Sequence, residues 1–155
     1  MRWPGRRPKT TPRALAAAVP ERTRPQEPVQ HAARRISMES SQVRQPSWRR
    51  TYLAPSSQRG ATEHTYALQV LAEVLGSGAT SRLHRTLVVD GSIAVSASAY
   101  YDPSAIDQTT FGLAASPRIG VDVAKVEQAI DKVIAELLEK GVGDQEVADA
   151  KRRLM

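Results

Sequence analysis

Residues 92–115 read SIAVSASAYYDPSAIDQTTFGLAA and contain two segments in which apolar and small polar residues alternate. Alternation with a period of two is typical of a strand that is buried on one face. The pattern therefore predicts strands over residues 92–101 and about 108–115. In the first strand, Ile93, Val95, Ala97, Ala99 and Tyr101 would share one face, and Ser92, Ser96, Ser98 and Tyr100 the other. The short loop between the strands favours an antiparallel hairpin.

Helical patterns lie on both sides of this hairpin. Apolar residues recur at helical spacing over residues 62–75, where Leu68, Leu71 and Leu75 form one stripe, and glycines follow at 76 and 78. A second, shorter helix is predicted to begin at Thr80 or Ser81 and to end near Leu87. Residues 121–140 give the strongest helical pattern in the chain, and a last helix is predicted from about residue 144. Further upstream, we predict a strand over residues 48–53 and a short strand over 32–38.

The composition excludes several kinds of site. The chain has 155 residues, which suits one domain, and no cysteine, so it has no disulfide, thiolate metal site or cysteine nucleophile. No apolar run approaches the roughly 20 residues of a transmembrane helix, and no secretory signal is visible, so the sequence leaves the compartment open.

Charge divides the chain into two parts. Residues 1–60 hold 13 basic and 3 acidic residues, whereas residues 61–155 hold 9 basic and 13 acidic residues. Because six prolines interrupt residues 1–28, we predict a basic, Pro-rich linker or disordered leader there. The alternative function for the whole chain is that of a small basic protein that binds nucleic acid through this Arg-rich leader. We favour the solvated linker, because only Trp3 is available in the leader to stack on a base.

The segments taken together resemble the peptidase M16 family, which includes insulinase, pitrilysin and the mitochondrial processing peptidase. The resemblance rests on the stretches SWRRTYLAPS (47–56), ALQVLAEVLGSGATSRL (67–83) and VSASAYY (95–101), and continues in Gly141-Val142 and residues 150–154. Their order and spacing match the later part of the C-terminal, non-catalytic domain of that family. Residues 29–155 would accordingly be a partial domain of this type, truncated within its final helix.

The resemblance implies an α+β fold, in which an antiparallel sheet carries helices packed on one face. It also implies a role, because in this family the C-terminal domain encloses an unfolded peptide substrate opposite the catalytic domain. We therefore expect a non-catalytic fragment of a zinc metallopeptidase, whose partner is a catalytic domain or subunit carrying H-x-x-E-H. Neither a membrane nor nucleic acid is expected as a partner.

The chain lacks the zinc-binding signature of the family. H-x-x-E-H places two histidines on one face of a helix and a glutamate beside the second as general base. The three histidines here are His31, His64 and His84, and the nearest approach to the signature has Gly60 in place of the first histidine. We therefore expect no catalytic residues, no metal ligands and no cofactor in this chain, with zinc only in a catalytic partner domain. As possible contacts to substrate or partner, the sequence offers Arg82, Arg85, Tyr100 and Tyr101.

Overall fold

The computed structural model describes residues 30–155, so the predicted leader over residues 1–28 and its alternative role in nucleic-acid binding lie outside the described residues. Residues 39–155 form one compact unit. Residues 32–38 form no strand, and the prediction of one there is wrong: they are exposed and have no regular secondary structure. The physical reason is that a segment of strand-like composition is not stable as a strand by itself.

Three antiparallel strands form the sheet. They are β1 (Trp48–Ala54), β2 (Ala94–Tyr101) and β3 (Thr109–Pro117), in the order β1-β3-β2. The predicted hairpin is therefore present as β2 and β3, with Ala99 opposite Leu113. On the other side of β3, β1 runs from Trp48 opposite Ala115 to Ala54 opposite Thr109. The central strand thus comes last in the chain, which makes the sheet depend on a pairing of high sequence separation.

A β-bulge at Val95 corrects one predicted face. The register moves from Ala94 opposite Pro117 directly to Ser96 opposite Ser116, so Val95 has no partner on β3. Because one residue is left unpaired, the residues before the bulge point to the face opposite to the one that simple alternation predicts. Ala94 consequently lies in the core and Val95 is exposed, contrary to the prediction, whereas the remainder of β2 keeps its predicted faces.

The helices lie close to their predicted positions. A 3₁₀ turn (Thr62–His64) leads into α1 (Thr65–Gly76), and two long helices follow the sheet, α2 (Val123–Lys140) and α3 (Asp144–Leu154). The carboxylate of Asp122 accepts a hydrogen bond from the amide of Ala124 (3.0 Å) and so caps the start of α2. Gly141 ends α2 with a φ of 73°, a conformation that glycine adopts without steric cost.

The shorter helix after α1 contains a π-helix over His84–Asp90, which ends three residues later than predicted. Its wider winding is visible in the hydrogen bond that the amide of Gly91 donates to the carbonyl of Thr86, five residues back (2.9 Å). Leu83 and Leu87 are both fully buried against the sheet and α2. Because the helix continues to Asp90 instead of ending near Leu87, Leu87 lies within the helix and its side chain packs in the core.

One face of the sheet carries the core. Apolar side chains from the sheet and from the helices form a single buried cluster there, which includes Trp48, Leu75, Leu83, Leu87, Ala97, Phe111, Leu113, Val126, Ile130 and Val133. Each large apolar side chain buried in this way contributes about 1.5–3 kcal/mol to stability. The predicted α+β fold, an antiparallel sheet with helices, is confirmed.

One charged residue of β1 points into this helical layer. The guanidinium of Arg50 lies 5.0 Å from the ring centroid of Trp48 and donates to Glu127 of α2 (2.8 Å) and to Asp131 of α2. The hydrogen bond to Asp131 is the main cause that raises the pKa of Arg50 above its usual value. Because two carboxylates of α2 share this one cation, Arg50 fixes the position of α2 over β1.

Among residues 30–155, the helices include none that is both long enough and apolar enough to cross a membrane.

Candidate functional site

The second face of the sheet faces away from the core, and it is built from the alternate residues of all three strands. Its members are exposed or half-buried, except for one glycine that lies under a tyrosine ring: Arg49, Thr51, Leu53, Ser96, Ser98, Tyr100, Thr110, Gly112, Ala114 and Ser116. We call this surface the open face. Because β-strand side chains alternate, it is the direct consequence of the pattern that buries the core on the opposite side.

An aromatic platform lies on the open face. Tyr100 of β2 is directly opposite Gly112 of β3, and its ring covers that glycine. A Cβ atom at Gly112 would lie 1.9 Å from Cζ of Tyr100, so only glycine lets the ring lie flat across β3. The guanidinium of Arg49, on β1, lies over the same ring at 6.0 Å from its centroid. Tyr100 is nevertheless 39% exposed, so its ring remains available for contact.

A polar pocket of about 230 Å³ adjoins this platform. It is lined by four serines and one arginine, namely Ser47, Arg49, Ser96, Ser98 and Ser116, above a floor that includes Ala114. Arg49 and Ser98 both lie opposite Ala114, on either side of it, so the pocket spans all three strands. We call it the serine–arginine pocket.

A second cleft, of about 380 Å³, lies between α1 and the C-terminal end of β2. Glu73, Gly76, Tyr100, Tyr101 and Leu154 are among the residues that line it. Glu73 is its one carboxylate, and this group is paired with Arg153 of α3 at 3.3 Å. Tyr100 therefore lines this cleft, whose one charged group is already used within the fold.

Two of the four residues predicted as substrate or partner contacts have partners inside the molecule. Arg82 forms a bidentate pair with Glu146 of α3, at 2.8 and 2.6 Å, and donates to the carbonyl of Gly141 at 3.0 Å. The hydrogen bond with Arg82 lowers the pKa of Glu146 and raises that of Arg82. The hydroxyl of Tyr101 donates to the carbonyl of Pro55 at 2.5 Å, and burial is the main cause that raises its pKa.

The other two predicted contacts are accessible but are not neighbours. Arg85 lies on the exposed side of the π-helix, where its Nε is 3.7 Å from the carboxylate of Asp90. Tyr100 lies on the open face, and its chain neighbour Tyr101 points into the helical layer, where its ring lies 6.3 Å from that of Phe111. The four residues therefore do not form one site, and Tyr100 is the member that the open face contains.

The described residues offer no place for a metal ion. No group of three or more histidine, cysteine, aspartate or glutamate side chains comes together anywhere in residues 30–155. Glu63 and His64 are adjacent in sequence, with Oε1 and Nε2 3.8 Å apart, and both side chains are largely exposed. His84 lies on the π-helix, and its Nδ1 atom is buried without a hydrogen-bond partner. The donor set therefore does not fit the zinc site of a peptidase, which needs three protein ligands.

Ser47, Arg49 and Ser116 are the pocket residues that sequence reasoning missed. The alternation of β2 already indicated that Ser96, Ser98 and Tyr100 share a polar face, and the structure confirms this for all three. The pairing of β1 with β3 was not predictable from local pattern, because it joins residues about 60 positions apart. Only that register brings Arg49 to the serines of β2.

Comparison with known proteins finds matches over most of the chain. A model of the family described as the peptidase M16 inactive domain matches residues 3–154. Among solved structures, a protease from Helicobacter pylori superimposes with a TM-score of 0.67 at 19% identity, over 74% of this chain and 27% of that one. An M16 inactive domain from Pseudomonas fluorescens gives 0.60 at 22% identity, over 71% and 26%. The chain thus spans about a quarter of each of these structures. No curated relative matches the chain significantly.

Proposed function

Because the chain belongs to the peptidase M16 inactive-domain family, we propose that it is the non-catalytic partner of a zinc peptidase and encloses an unfolded peptide opposite the catalytic domain. The single observation that carries the proposal, besides the family, is the open face with Tyr100 held flat on Gly112. A broad sheet surface with one exposed aromatic ring suits an extended chain of variable sequence, since aromatic contact needs no particular partner side chain.

The distribution of charge supports the same role. The three strands contain two charged residues, Arg49 and Arg50, and Arg50 is used by α2. The rest of the open face consists of small, hydroxyl-bearing and apolar side chains. A surface of this kind lets a peptide slide and adjust, because no network of charges fixes one register.

The chemistry of peptide cleavage would belong to the partner. The zinc and its general base would be supplied by a catalytic domain or subunit carrying H-x-x-E-H, since the side chains of residues 30–155 do not fit that site. What this chain would contribute is binding energy and orientation for the peptide, which can be large even without a reacting group.

The isolated chain is therefore expected to bind no stoichiometric zinc and to cleave no peptide. The physical reason is the missing histidine pair, since a single exposed histidine provides one ligand where a catalytic site needs three. Metal analysis after dialysis, together with a fluorogenic peptide assay, checks this expectation. One tightly held zinc per chain, with cleavage that a chelator abolishes, would contradict it.

Replacement of Tyr100 by alanine is expected to weaken binding of an unfolded peptide by about threefold to tenfold, because one aromatic contact is worth roughly 0.5–1.5 kcal/mol. Fluorescence anisotropy of a labelled, reduced and unfolded peptide measures the effect. Tyr66→Ala is the matched control, since Tyr66 is 80% exposed but lies on α1, away from the open face. Equal losses in both variants, or no loss in Tyr100→Ala, would show that the open face does not contact peptide.

A further inference from the structure

The serine–arginine pocket has polar groups that the fold does not use. Among the described residues, none forms an ion pair with Arg49 or a hydrogen bond with the hydroxyls of Ser47, Ser96, Ser98 or Ser116. A guanidinium and four hydroxyls thus surround one pocket of about 230 Å³ without partners. A few polar side chains that converge on a concave region are a reason to consider a bound group there.

The chemistry of the missing group follows from the donors. An arginine offers its N–H groups in a planar fork and has no acceptor, and serine hydroxyls can donate as well as accept. A carboxylate accepts hydrogen bonds only, and it matches the fork of a guanidinium with two parallel bonds. The ring of Tyr100 lies beneath the guanidinium of Arg49 at 6.0 Å, so contact with the ring leaves the edge of the fork free.

The neighbouring arginine gives an internal precedent. Arg50 follows Arg49 in β1 and projects to the opposite face, where Glu127 and Asp131 of α2 accept its hydrogen bonds. Arg49 has the same side chain and no such carboxylates, and it is the one charged residue among the outward-facing residues of β1, β2 and β3. The open face therefore has a local positive charge with no compensating negative charge on the sheet.

We propose that the serine–arginine pocket binds the carboxylate of an acidic side chain in the enclosed peptide, so that this domain prefers peptides with a glutamate or aspartate next to the segment on Tyr100. The proposal rests on the proposed function, because it takes an extended peptide as the occupant of the open face. Charge complementarity selects the acidic peptide: Arg49 is unpaired, and a basic side chain in the same place would face it directly.

The experiment uses the full chain and two labelled peptides that differ at one position, glutamate in one and glutamine in the other. Both peptides are acetylated and amidated, so the glutamate is the single carboxylate. The measured quantity is the ratio of their two dissociation constants. On the unaltered protein we expect the glutamate peptide to bind about fivefold to tenfold more tightly, as a charge-assisted hydrogen bond at a partly exposed site provides.

Three variants test whether Arg49 causes this preference for glutamate. Arg49→Gln is expected to bring the ratio to about one, and Arg49→Lys to an intermediate value, because lysine keeps the charge and loses the fork. Arg44→Gln is the matched control: Arg44 is exposed, precedes β1 and lies outside the pocket, so its loss removes one positive charge and leaves the ratio unchanged. The Arg-rich leader is the same in every variant and cancels in this comparison.

The outcomes distinguish failure of the carboxylate site from failure of the proposed peptide-binding function. A ratio near one on the unaltered protein, or a ratio that survives Arg49→Gln, overturns the pocket as a carboxylate site. If Tyr100→Ala still weakens both peptides in that case, the open face remains a peptide surface without acidic preference. If neither peptide binds at all, the proposed function fails and the pocket proposal fails with it. Circular dichroism of Arg49→Gln verifies that the variant is folded.

Discussion

Gly76→Ala is expected to lower the free energy of unfolding by about 3–5 kcal/mol, an effect at the top of the range for single substitutions. A Cβ atom at this position would lie 1.7 Å from the backbone nitrogen of Ala99 and 2.5 Å from the carbonyl carbon of Ser98. Both are main-chain atoms of β2, so no side-chain rotation can relieve the collision. The last turn of α1 must then move away from the sheet, and the packing of Leu75 is lost with it.

The direction of this change makes it diagnostic. In an exposed helix, replacing glycine by alanine stabilises by about 0.5–1 kcal/mol, so propensity alone predicts the opposite sign. Urea denaturation of the two proteins, with the slope compared as well as the midpoint, measures the difference. Gly143→Ala is the control, because its Cβ would meet only Glu146 Oε2 at 3.5 Å, and the cost at a helix start stays near or below about 1 kcal/mol. An unchanged midpoint in Gly76→Ala would mean that α1 does not approach β2 as closely as described.

Gly76 also shows how far local sequence reasoning reached. Its place after the apolar stripe of residues 62–75 predicts the end of a helix, and α1 does end at Gly76. The reason for the glycine is different, however: Gly78 has the positive φ of 79°, whereas Gly76 is needed because another backbone passes it. The end of a helix can be predicted from neighbouring residues, whereas the close approach of a strand that is distant in sequence cannot.

The strands show the same limit. The faces of β2 beyond its bulge followed from alternation, since period two is a local property. The bulge at Val95 could not be predicted in this way. The segment SIAVSASAY consists of small and apolar residues throughout, so nothing in it marks the residue that is left unpaired. In β1, two consecutive arginines must face opposite sides, and nothing local says which one points inward. The carboxylates of Glu127 and Asp131, 77 and 81 positions further on, settle that choice for Arg50.

The candidate site was only half predictable for this reason. Ser96, Ser98 and Tyr100 lie in one strand and share a face by their spacing, so their joint exposure could be derived. Arg49 joins them only through the register of β1 on β3. Arg82, by contrast, looks in sequence like an exposed arginine of a short helix, and its pairing with Glu146 depends on where α3 packs.

Leu87→Ala is expected to lower the free energy of unfolding by about 2–5 kcal/mol, the range for a buried leucine whose removal leaves a cavity. Leu87 is 0% exposed, and it belongs to the π-helix that packs against both β2 and α2. Its site is closed on two sides by elements that are fixed elsewhere, α2 by Arg50 and β2 by β3. The surroundings can therefore collapse only slightly into the space left by Cγ, Cδ1 and Cδ2 of the leucine, which places the expected loss in the upper part of the range.

The matched control for that substitution is Leu138→Ala on α2, where the side chain is 80% exposed and the expected change is within about 0.5 kcal/mol. Chemical denaturation of both variants, with an unchanged slope, would assign the difference to packing around the π-helix rather than to the unfolded chain. The packing of Leu87 matters for the open face, because the π-helix leads into β2, the strand that presents Ser96, Ser98 and Tyr100. Equal stabilities of Leu87→Ala and Leu138→Ala would contradict the burial of Leu87 and, with it, the position assigned to the start of β2.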